Sequence, residues 1–131
     1  MQLVMNTNAL DPTRQFYVSL ATYRRDGREV RTPVWIAAAD GAFYVFSAAA
    51  AGKVKRIRLN GRAKLAACTV RGRVTGPWRP ATARLIDDPS TCARALGALR
   101  AKYGWQMWLA DGLAKLGGRF EQRCYIELQL P

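Results

Sequence analysis

The chain has 131 residues, half of them hydrophobic, which suits one folded domain with a single core. Its 21 lysines and arginines outnumber 9 acidic residues, and the formal charge of +12 attracts nucleic acid, acidic membrane surfaces or phosphorylated and carboxylated small molecules. The chain has no histidine, which excludes a Ser-His-Asp or Cys-His catalytic unit. It also excludes a histidine-ligated haem or zinc ion, unless a partner supplies the ligand. An enzyme with this composition would depend on a bound cofactor for its chemistry.

The three cysteines, Cys68, Cys92 and Cys124, are far apart in sequence and odd in number. Without a CxxC pair they support neither a zinc ribbon nor a disulfide framework, so we predict reduced thiols and no metal site. The N-terminal residues lack the basic start and long apolar stretch of a signal peptide. No apolar run approaches the roughly 20 residues of a membrane-spanning helix. We therefore expect a cytoplasmic protein with no membrane partner.

The first part of the chain predicts three strands in an antiparallel meander. Residues 1–14 are predicted to form a short helix or arm. Residues 16–23, 28–38 and 43–47 are rich in the aromatic and β-branched side chains typical of strands. The two connections between these strands contain Asp-Gly, a favoured hairpin dipeptide, at Asp26-Gly27 and Asp40-Gly41.

The second predicted strand has two different faces. Pro33 cannot donate a hydrogen bond to a neighbouring strand, so we expect it at a sheet edge, a bulge or a gap that faces a ligand. Alternation sorts the other side chains, with Val30, Val34 and Ile36 on one face and Arg31 and Trp35 on the other.

A basic segment, SAAAAGKVKRIRL at residues 47–59, follows the third strand through small residues and a glycine. A strand, a small-residue turn and the start of a cationic helix together favour a phosphate site, because the helix N-terminus and its cations attract an anion. The alternative is a solvated basic helix face that binds nothing. The pattern predicts that Val54, Ile57 and Leu59 face the core and that Lys53, Lys55, Arg56 and Arg58 point outward.

The remaining elements complete a small β-rich domain that spans residues 1–131. Strands are predicted at residues 63–70, 81–86 and 123–130, and helices at residues 91–102 and 105–116. A loop at residues 71–80 is rich in glycine, proline and arginine. On the second helix, Trp105 and Trp108 are spaced for core packing. Six strands with few helices predict a mainly β fold, a closed or split antiparallel β-barrel.

Four segments, in this order, resemble one known family. They are YVSLATYRRDGREVRTPVWI, FYVFS, GKVKRIRLNGRAKLAAC and RGRVTGPW. The sequence is similar to the pyridoxamine 5′-phosphate oxidase-like split β-barrel family, and within it to small deazaflavin (coenzyme F420)-dependent oxidoreductases. The resemblance covers roughly residues 15–130. It implies a six-stranded split barrel, a homodimer, and a cofactor, F420 or FMN, in a groove between protomers.

The resemblance also implies roles for individual residues, with no catalytic side chain among them because the cofactor carries the chemistry. Lys53 and Arg56 match the cations that hold the cofactor phosphate, and Lys55 is a further candidate. Ser47 matches a position often held by threonine. Trp78 and Arg79 match a loop expected near the site from the partner chain. The segment that would flank the flavin-type ring is Thr32, Pro33, Val34 and Trp35.

Other interpretations stay open. Trp35 would also suit a barrel core or a dimer core, and Trp78 would also suit a dimer contact alone. The arginines around the first hairpin are solvated charge or, alternatively, a receiver for an acidic cofactor tail. For the whole protein, the first hypothesis is hydride transfer between the deazaflavin and a small organic substrate. The alternatives are an FMN-dependent oxidoreductase and a non-catalytic binder of either cofactor. Nucleic-acid binding would fit the charge, but neighbouring strands lack the interleaved aromatic and basic pattern it requires.

Overall fold

The structure is a computed structural model that describes residues 14–48, 51–116 and 123–131. Predicted elements within residues 1–13 lie outside this range. Seven strands and three helices occur in the described residues. In chain order they are β1 (Tyr17–Tyr23), β2 (Glu29–Val34), β3 (Ala37–Ala39), β4 (Ala42–Ala48), α1 (Gly52–Leu59), β5 (Arg62–Cys68), β6 (Arg79–Ile86), α2 (Pro89–Tyr103), α3 (Trp105–Leu116) and β7 (Arg123–Gln129).

The strands form one antiparallel sheet in the order β2-β1-β5-β6-β7-β4-β3. β2 and β3 therefore lie at opposite edges, although only Trp35 and Ile36 separate them in sequence. Seven flat strands would place those edges about 29 Å apart, whereas so short a link spans about 11 Å at most. The sheet must curl until its edges approach, which is the geometry of a barrel.

The predicted six-strand count was wrong because the second predicted strand is two strands. The chain leaves the β1 edge after Val34 and joins β4 at Ala37. Between them the Ile36 N–H donates to the Tyr103 hydroxyl at 2.8 Å rather than to a neighbouring strand. A side chain 67 residues away thus interrupts a run that looks continuous in sequence. The predicted homodimer is not tested by a single chain.

Both predicted hairpins are confirmed. β1 and β2 pair around Asp26-Gly27, where Gly27 has a φ of 90°. β3 and β4 pair directly through Asp40 and Gly41, which both have positive φ, 50° and 81°, as a tight two-residue hairpin requires. Pro33 lies on the edge strand β2, where its missing N–H costs no pairing.

Two apolar clusters lie on opposite faces of the sheet. Inside the barrel, Leu20, Val45, Leu65, Ile126 and Leu128 are fully buried. Outside it, α2 covers β3 and β4 and contributes Leu99 and Tyr103 to a second cluster. The first turn of α2 is capped by Asp88, whose carboxylate accepts from the Thr91 N–H at 2.9 Å.

The start of one strand and the burial of three apolar helix side chains were predicted wrongly. Arg79 and Pro80 belong to β6 rather than to the preceding loop, because they pair with Leu65 and Lys64. Leu59, expected in the core, is 51% exposed at the end of α1. Trp105 and Trp108, also expected in the core, are 68% and 75% exposed on α3. The spacing of the two tryptophans showed that they share one face of α3, but it did not show whether that face is turned to the core or to solvent.

No helix among the described residues is both long and apolar enough to cross a membrane.

Candidate functional site

The site is organised around the N-terminus of α1, which begins directly after the small residues that follow β4. Ala51 occupies the N-cap position and has no side-chain oxygen to accept from the first helical amides. The first turn contains no acidic residue. The unpaired N–H groups of the first turn and the helix dipole attract an anion to this helix end. Because the helix itself supplies no acidic side chain there, the anion would come from a ligand.

Arg56 lies back over this helix end in a fixed orientation. Its Nε donates to the Thr22 Oγ1 at 2.6 Å, and the Thr22 side chain lies in the barrel wall with 1% exposure. Its Nη1 lies so close to Gly52 that a Cβ at that position would be 2.7 Å away. The glycine therefore leaves room for the guanidinium above the first helical turn.

The positive charges of Lys53 and Arg56 repel each other, and no carboxylate among the described residues forms an ion pair with either side chain. Burial, followed by the charge of Arg56, lowers the pKa of Lys53. Burial, followed by the charge of Arg24, lowers the pKa of Arg56. Among the residues that the structure describes, none of these three cations forms an ion pair. A bound anion would offset both the burial and the repulsion.

A cleft continues from this helix end to the first hairpin. Two depressions, about 280 and 510 Å³ in volume, share Arg24, Arg25 and Leu59 on their walls. The smaller also contains Gly52, Lys55 and Arg56, and the larger Asp26 and Arg28. Arg28 is paired with Asp26 at 2.8 Å, whereas Arg24 and Arg25 form no ion pair with any residue that the structure describes. We call Arg24, Arg25, Lys55 and Arg56, together with Lys53 in the adjoining first turn of α1, the cation cleft.

The segment Thr32–Trp35 does not present one continuous face. Thr32 and Val34 point toward the barrel interior, and Pro33 points to the outer face and is exposed. Val34 is buried in the core, so its side chain is not available to a ligand. Thr32 lies diagonally across from Thr22 on the same face, at a typical separation of about 7–8 Å. Of the four, Thr32 is the side chain nearest to the cation cleft by this register.

Trp35 packs against its own chain. Its ring stacks on Tyr103 with centroids 4.5 Å apart and an angle of 11°, and its edges meet Phe16 and Phe46. The Tyr103 hydroxyl also donates to the Phe16 carbonyl at 2.8 Å. Burial raises the pKa of Tyr103 to about 12, so the phenol stays neutral at physiological pH. The structure thus gives Trp35 a packing role at the junction of β2 and β3.

The remaining predicted residues occupy two places. Ser47 is buried near the end of β4, close to the chain's approach to α1, and its hydroxyl donates to the Ala48 carbonyl at 3.3 Å. Trp78 is half-buried against the outer face of the sheet, between Arg31 and Lys64 at 4.8 and 4.6 Å. It therefore contacts its own protomer. Arg79 is a strand residue of β6.

A separate depression of about 430 Å³ lies between β6 and the end of the described chain. Its charged members, Arg84 and Glu127, bond to each other at 2.8 Å. The other Glu127 oxygen accepts from the Tyr44 hydroxyl. Because these polar groups satisfy one another, this depression is less suited to a charged ligand than the cation cleft.

The sequence identified the cations of α1 but not the groups that orient them. Thr22 lies in a strand whose side chains are otherwise mostly apolar, and its hydroxyl was the only available indication. The sequence left Arg24 and Arg25 as solvated charge or a receiver for an acidic cofactor tail, and it did not indicate their proximity to α1, which depends on the curl of the sheet.

No family model matches the sequence, and no curated protein matches it. Solved structures do match the fold. HutZ, a heme storage protein from Vibrio cholerae, is 13% identical with a TM-score of 0.71, over 92% of this chain and 84% of its own. A FAD-binding protein from Mesorhizobium loti is 16% identical with a TM-score of 0.69, over 100% of this chain and 91% of its own.

A candidate pyridoxamine 5′-phosphate oxidase from Listeria innocua is 12% identical with a TM-score of 0.63, over 96% of this chain and 93% of its own. At these identities the comparisons establish the fold alone. The chain therefore has the split-barrel fold of the pyridoxamine 5′-phosphate oxidase-like proteins, as the resemblance in sequence predicted.

Proposed function

We propose that this protein is a cofactor-dependent oxidoreductase that transfers hydride between bound deazaflavin (coenzyme F420) and a small organic substrate. The observation that carries the proposal is the uncapped N-terminus of α1, with Arg56 above it and Lys53 in its first turn. In this proposal the cofactor phosphate binds there, and two protomers form the working unit.

The residues present fit such a group. Lys53 is half-buried and Arg56 is oriented by Thr22, so both are positioned before an anion arrives. The cofactor, when bound, supplies the hydride chemistry. The chain would bind the phosphate, with Ser47 near the entrance to α1, and Thr32 would help to orient the ring. A protein nucleophile is not required, which agrees with a chain that lacks histidine.

The extent of the cation cleft favours the deazaflavin over FMN. FMN has one phosphate, which Lys53 and Arg56 would satisfy. The larger depression adds Arg24 and Arg25, which have no carboxylate partner within the described part of the chain. These guanidiniums would suit the acidic oligoglutamate tail of the deazaflavin, because arginine binds carboxylates with paired hydrogen bonds.

Two alternative functions are each supported by a protein of the same fold. FMN use remains the second candidate, because the same fold occurs in a FAD-binding protein. A non-catalytic binder is the third, because the fold also occurs in a heme storage protein. Turnover separates these classes: an oxidoreductase would reoxidise or reduce the bound cofactor with some acceptor, and a carrier would hold it unchanged.

The first prediction tests the anion site directly. The purified protein is titrated with F420 and, separately, with FMN, and binding is followed by cofactor fluorescence. We expect micromolar or tighter affinity for F420, and we expect Lys53→Ala combined with Arg56→Ala to weaken it at least about 100-fold, since two charge-assisted contacts are lost.

Arg58→Ala is the matched control, because it removes the same group from the same helix two residues further on, where the side chain is exposed. Its affinity should match that of the unmodified protein. The proposal is wrong if neither cofactor binds at micromolar concentration. The site assignment alone is wrong if the double variant binds as well as the control.

A further inference from the structure

Gly52 is the first residue of α1, and its backbone does not require a glycine. The hairpin glycines Gly27 and Gly41 have positive φ, whereas Gly52 lies outside that region, at the start of a right-handed helix. Alanine is the better helix former, because glycine loses more conformational freedom on folding. The reason for a glycine at this position therefore lies in the side chain that it lacks.

The space that a larger residue would fill is occupied by the guanidinium of Arg56. The three atoms nearest to a Cβ at position 52 would all belong to Arg56, with Nη1 at 2.7 Å, Cζ at 3.6 Å and Nη2 at 3.8 Å. Residues four apart share a helix face, and helical side chains point toward the N-terminus, so Arg56 passes over Gly52. A carbon atom at 2.7 Å is too close for van der Waals contact. Any other residue at position 52 would therefore displace the guanidinium.

The displaced group is the one that Thr22 orients. Arg56 Nε donates to the Thr22 Oγ1 at 2.6 Å, and Nε and Nη1 belong to the same rigid plane. A shift of Nη1 away from residue 52 therefore also disturbs the hydrogen bond to Thr22. The orientation of Arg56 thus depends on two residues, a threonine that accepts its proton and a glycine that leaves it room.

The position of Arg56 is electrostatically unfavourable in the absence of a ligand. The guanidinium lies over the N-terminal end of α1, where the helix dipole repels a cation. Burial and then the charge of Arg56 lower the pKa of Lys53, the next residue in the helix. An anion at this helix end would reverse both effects. The glycine therefore permits an arrangement that favours binding more than it favours the free fold.

We propose that Gly52 is a positioning residue of the anion site, because the space it leaves lets Arg56 and the first amides of α1 reach the same phosphate. This inference rests on the phosphate site of the proposed function and adds how the chain forms it. It predicts opposite effects of one methyl group. Gly52→Ala should weaken F420 binding about tenfold, since one charge-assisted contact is lost, and should maintain or raise the unfolding temperature.

Titrations with F420 and with inorganic phosphate, followed by calorimetry, measure the loss of affinity, and thermal unfolding measures stability. Inorganic phosphate is a probe that does not depend on the identity of the cofactor. The matched control is Gly97→Ala, the same change within α2, where an added Cβ meets no atom within 4 Å. The control should also maintain or raise the unfolding temperature, but it should bind both ligands as well as the unmodified protein does.

Arg56→Ala distinguishes positioning from direct obstruction of the ligand by the new methyl group. In that background, Gly52→Ala should change the affinity by less than about twofold, because the guanidinium that it would displace is absent. Nitrogen-15 NMR gives a second measurement. The Arg56 Nε–H signal, protected from exchange by Thr22 in the unmodified protein, should exchange faster in Gly52→Ala.

Three results would overturn the proposal: unchanged affinity in Gly52→Ala, an equal loss in Gly97→Ala, or a tenfold loss that persists without Arg56. The two ligands separate this inference from the proposed function. If the unmodified protein binds phosphate but not F420, the deazaflavin proposal is wrong, and the phosphate affinities of the variants still decide the role of Gly52. If it binds neither ligand, both proposals are wrong.

Discussion

A threonine hydroxyl in the barrel wall determines where the main cation of the site lies. Thr22 is 1% exposed, and its Oγ1 accepts from Arg56 Nε at 2.6 Å. Without that acceptor the long arginine side chain would sample several rotamers, and holding it in one of them would cost entropy when a ligand binds. Thr22 thus acts through Arg56 and does not itself need to contact the ligand.

Thr22→Val tests this role with a side chain of nearly the same shape. We expect the F420 dissociation constant to rise about tenfold, or about 1.4 kcal/mol, because one charge-assisted hydrogen bond is lost while the packing stays. Thr82→Val, at an exposed position of β6, should leave affinity unchanged. Equal affinities for the two variants would show that Arg56 does not need Thr22.

Residue identities in the site were partly predictable. Lys53 and Arg56 follow from the small-residue turn and the cationic helix start, which are local patterns. Thr22 and Arg24 could not be assigned, because they precede α1 by some 30 residues and meet it only after the barrel forms. Local sequence contains no information on which strand hydroxyl faces which helix.

The positions of the strands and helices are determined by turn and cap residues at their ends and by a few ion pairs. Asp-Gly dipeptides set both hairpins, and Asp88 begins α2. α3 has a different anchor, the Asp111 carboxylate shared by Arg100 and Arg123. Its boundaries were predicted correctly, but its orientation was not, because its five large exposed apolar side chains are the more prominent pattern and Met107 and Asp111 are its fully or nearly buried ones.

Asp111→Ala should release α3 from the domain. We expect the free energy of unfolding to fall by about 3 kcal/mol, because the change removes both ion pairs through which the nearly buried Asp111 carboxylate holds α3 to Arg100 and Arg123. Urea unfolding followed by circular dichroism measures the change. Arg28→Ala, which breaks an exposed ion pair with Asp26, should change stability little. A similarly small effect for Asp111→Ala would mean that Met107 and its neighbours suffice to hold the helix.

At the scale of the whole molecule, one phenol binds the link between the two edge strands of the sheet. Tyr103 accepts from the Ile36 N–H at 2.8 Å and donates to the Phe16 carbonyl, so it connects α2 to the link between β2 and β3. The barrel fold was predictable from strand number and family resemblance. The division of one predicted strand into two was not, because it depends on this contact between distant residues.

Tyr103→Phe should destabilise the barrel by about 2 kcal/mol, because the ring remains but the buried Ile36 N–H loses its acceptor. The same residue gives a pH signature. Its pKa is raised from 10 to about 12 in the fold, so above pH 10 the unfolded chain binds fewer protons and stability falls toward pH 12. In urea titrations at pH 8 to 12, the contribution of this residue to that decline should disappear in Tyr103→Phe. An identical pH profile in both proteins would assign the decline to other groups.

The position of β7 has a consequence for how the protein is made. β7 is the last strand in sequence, yet it lies between β6 and β4, with Ile126 opposite both Leu85 and Val45. During synthesis, β4 and β6 are therefore complete while each still has an unpaired edge, and such edges readily join other chains. Because β4 must wait some 80 residues for its partner, folding depends on contacts that are distant in sequence and should be slow. A ribosome that stalls before Arg123 would thus release a sheet with two open edges, prone to aggregate before it can close.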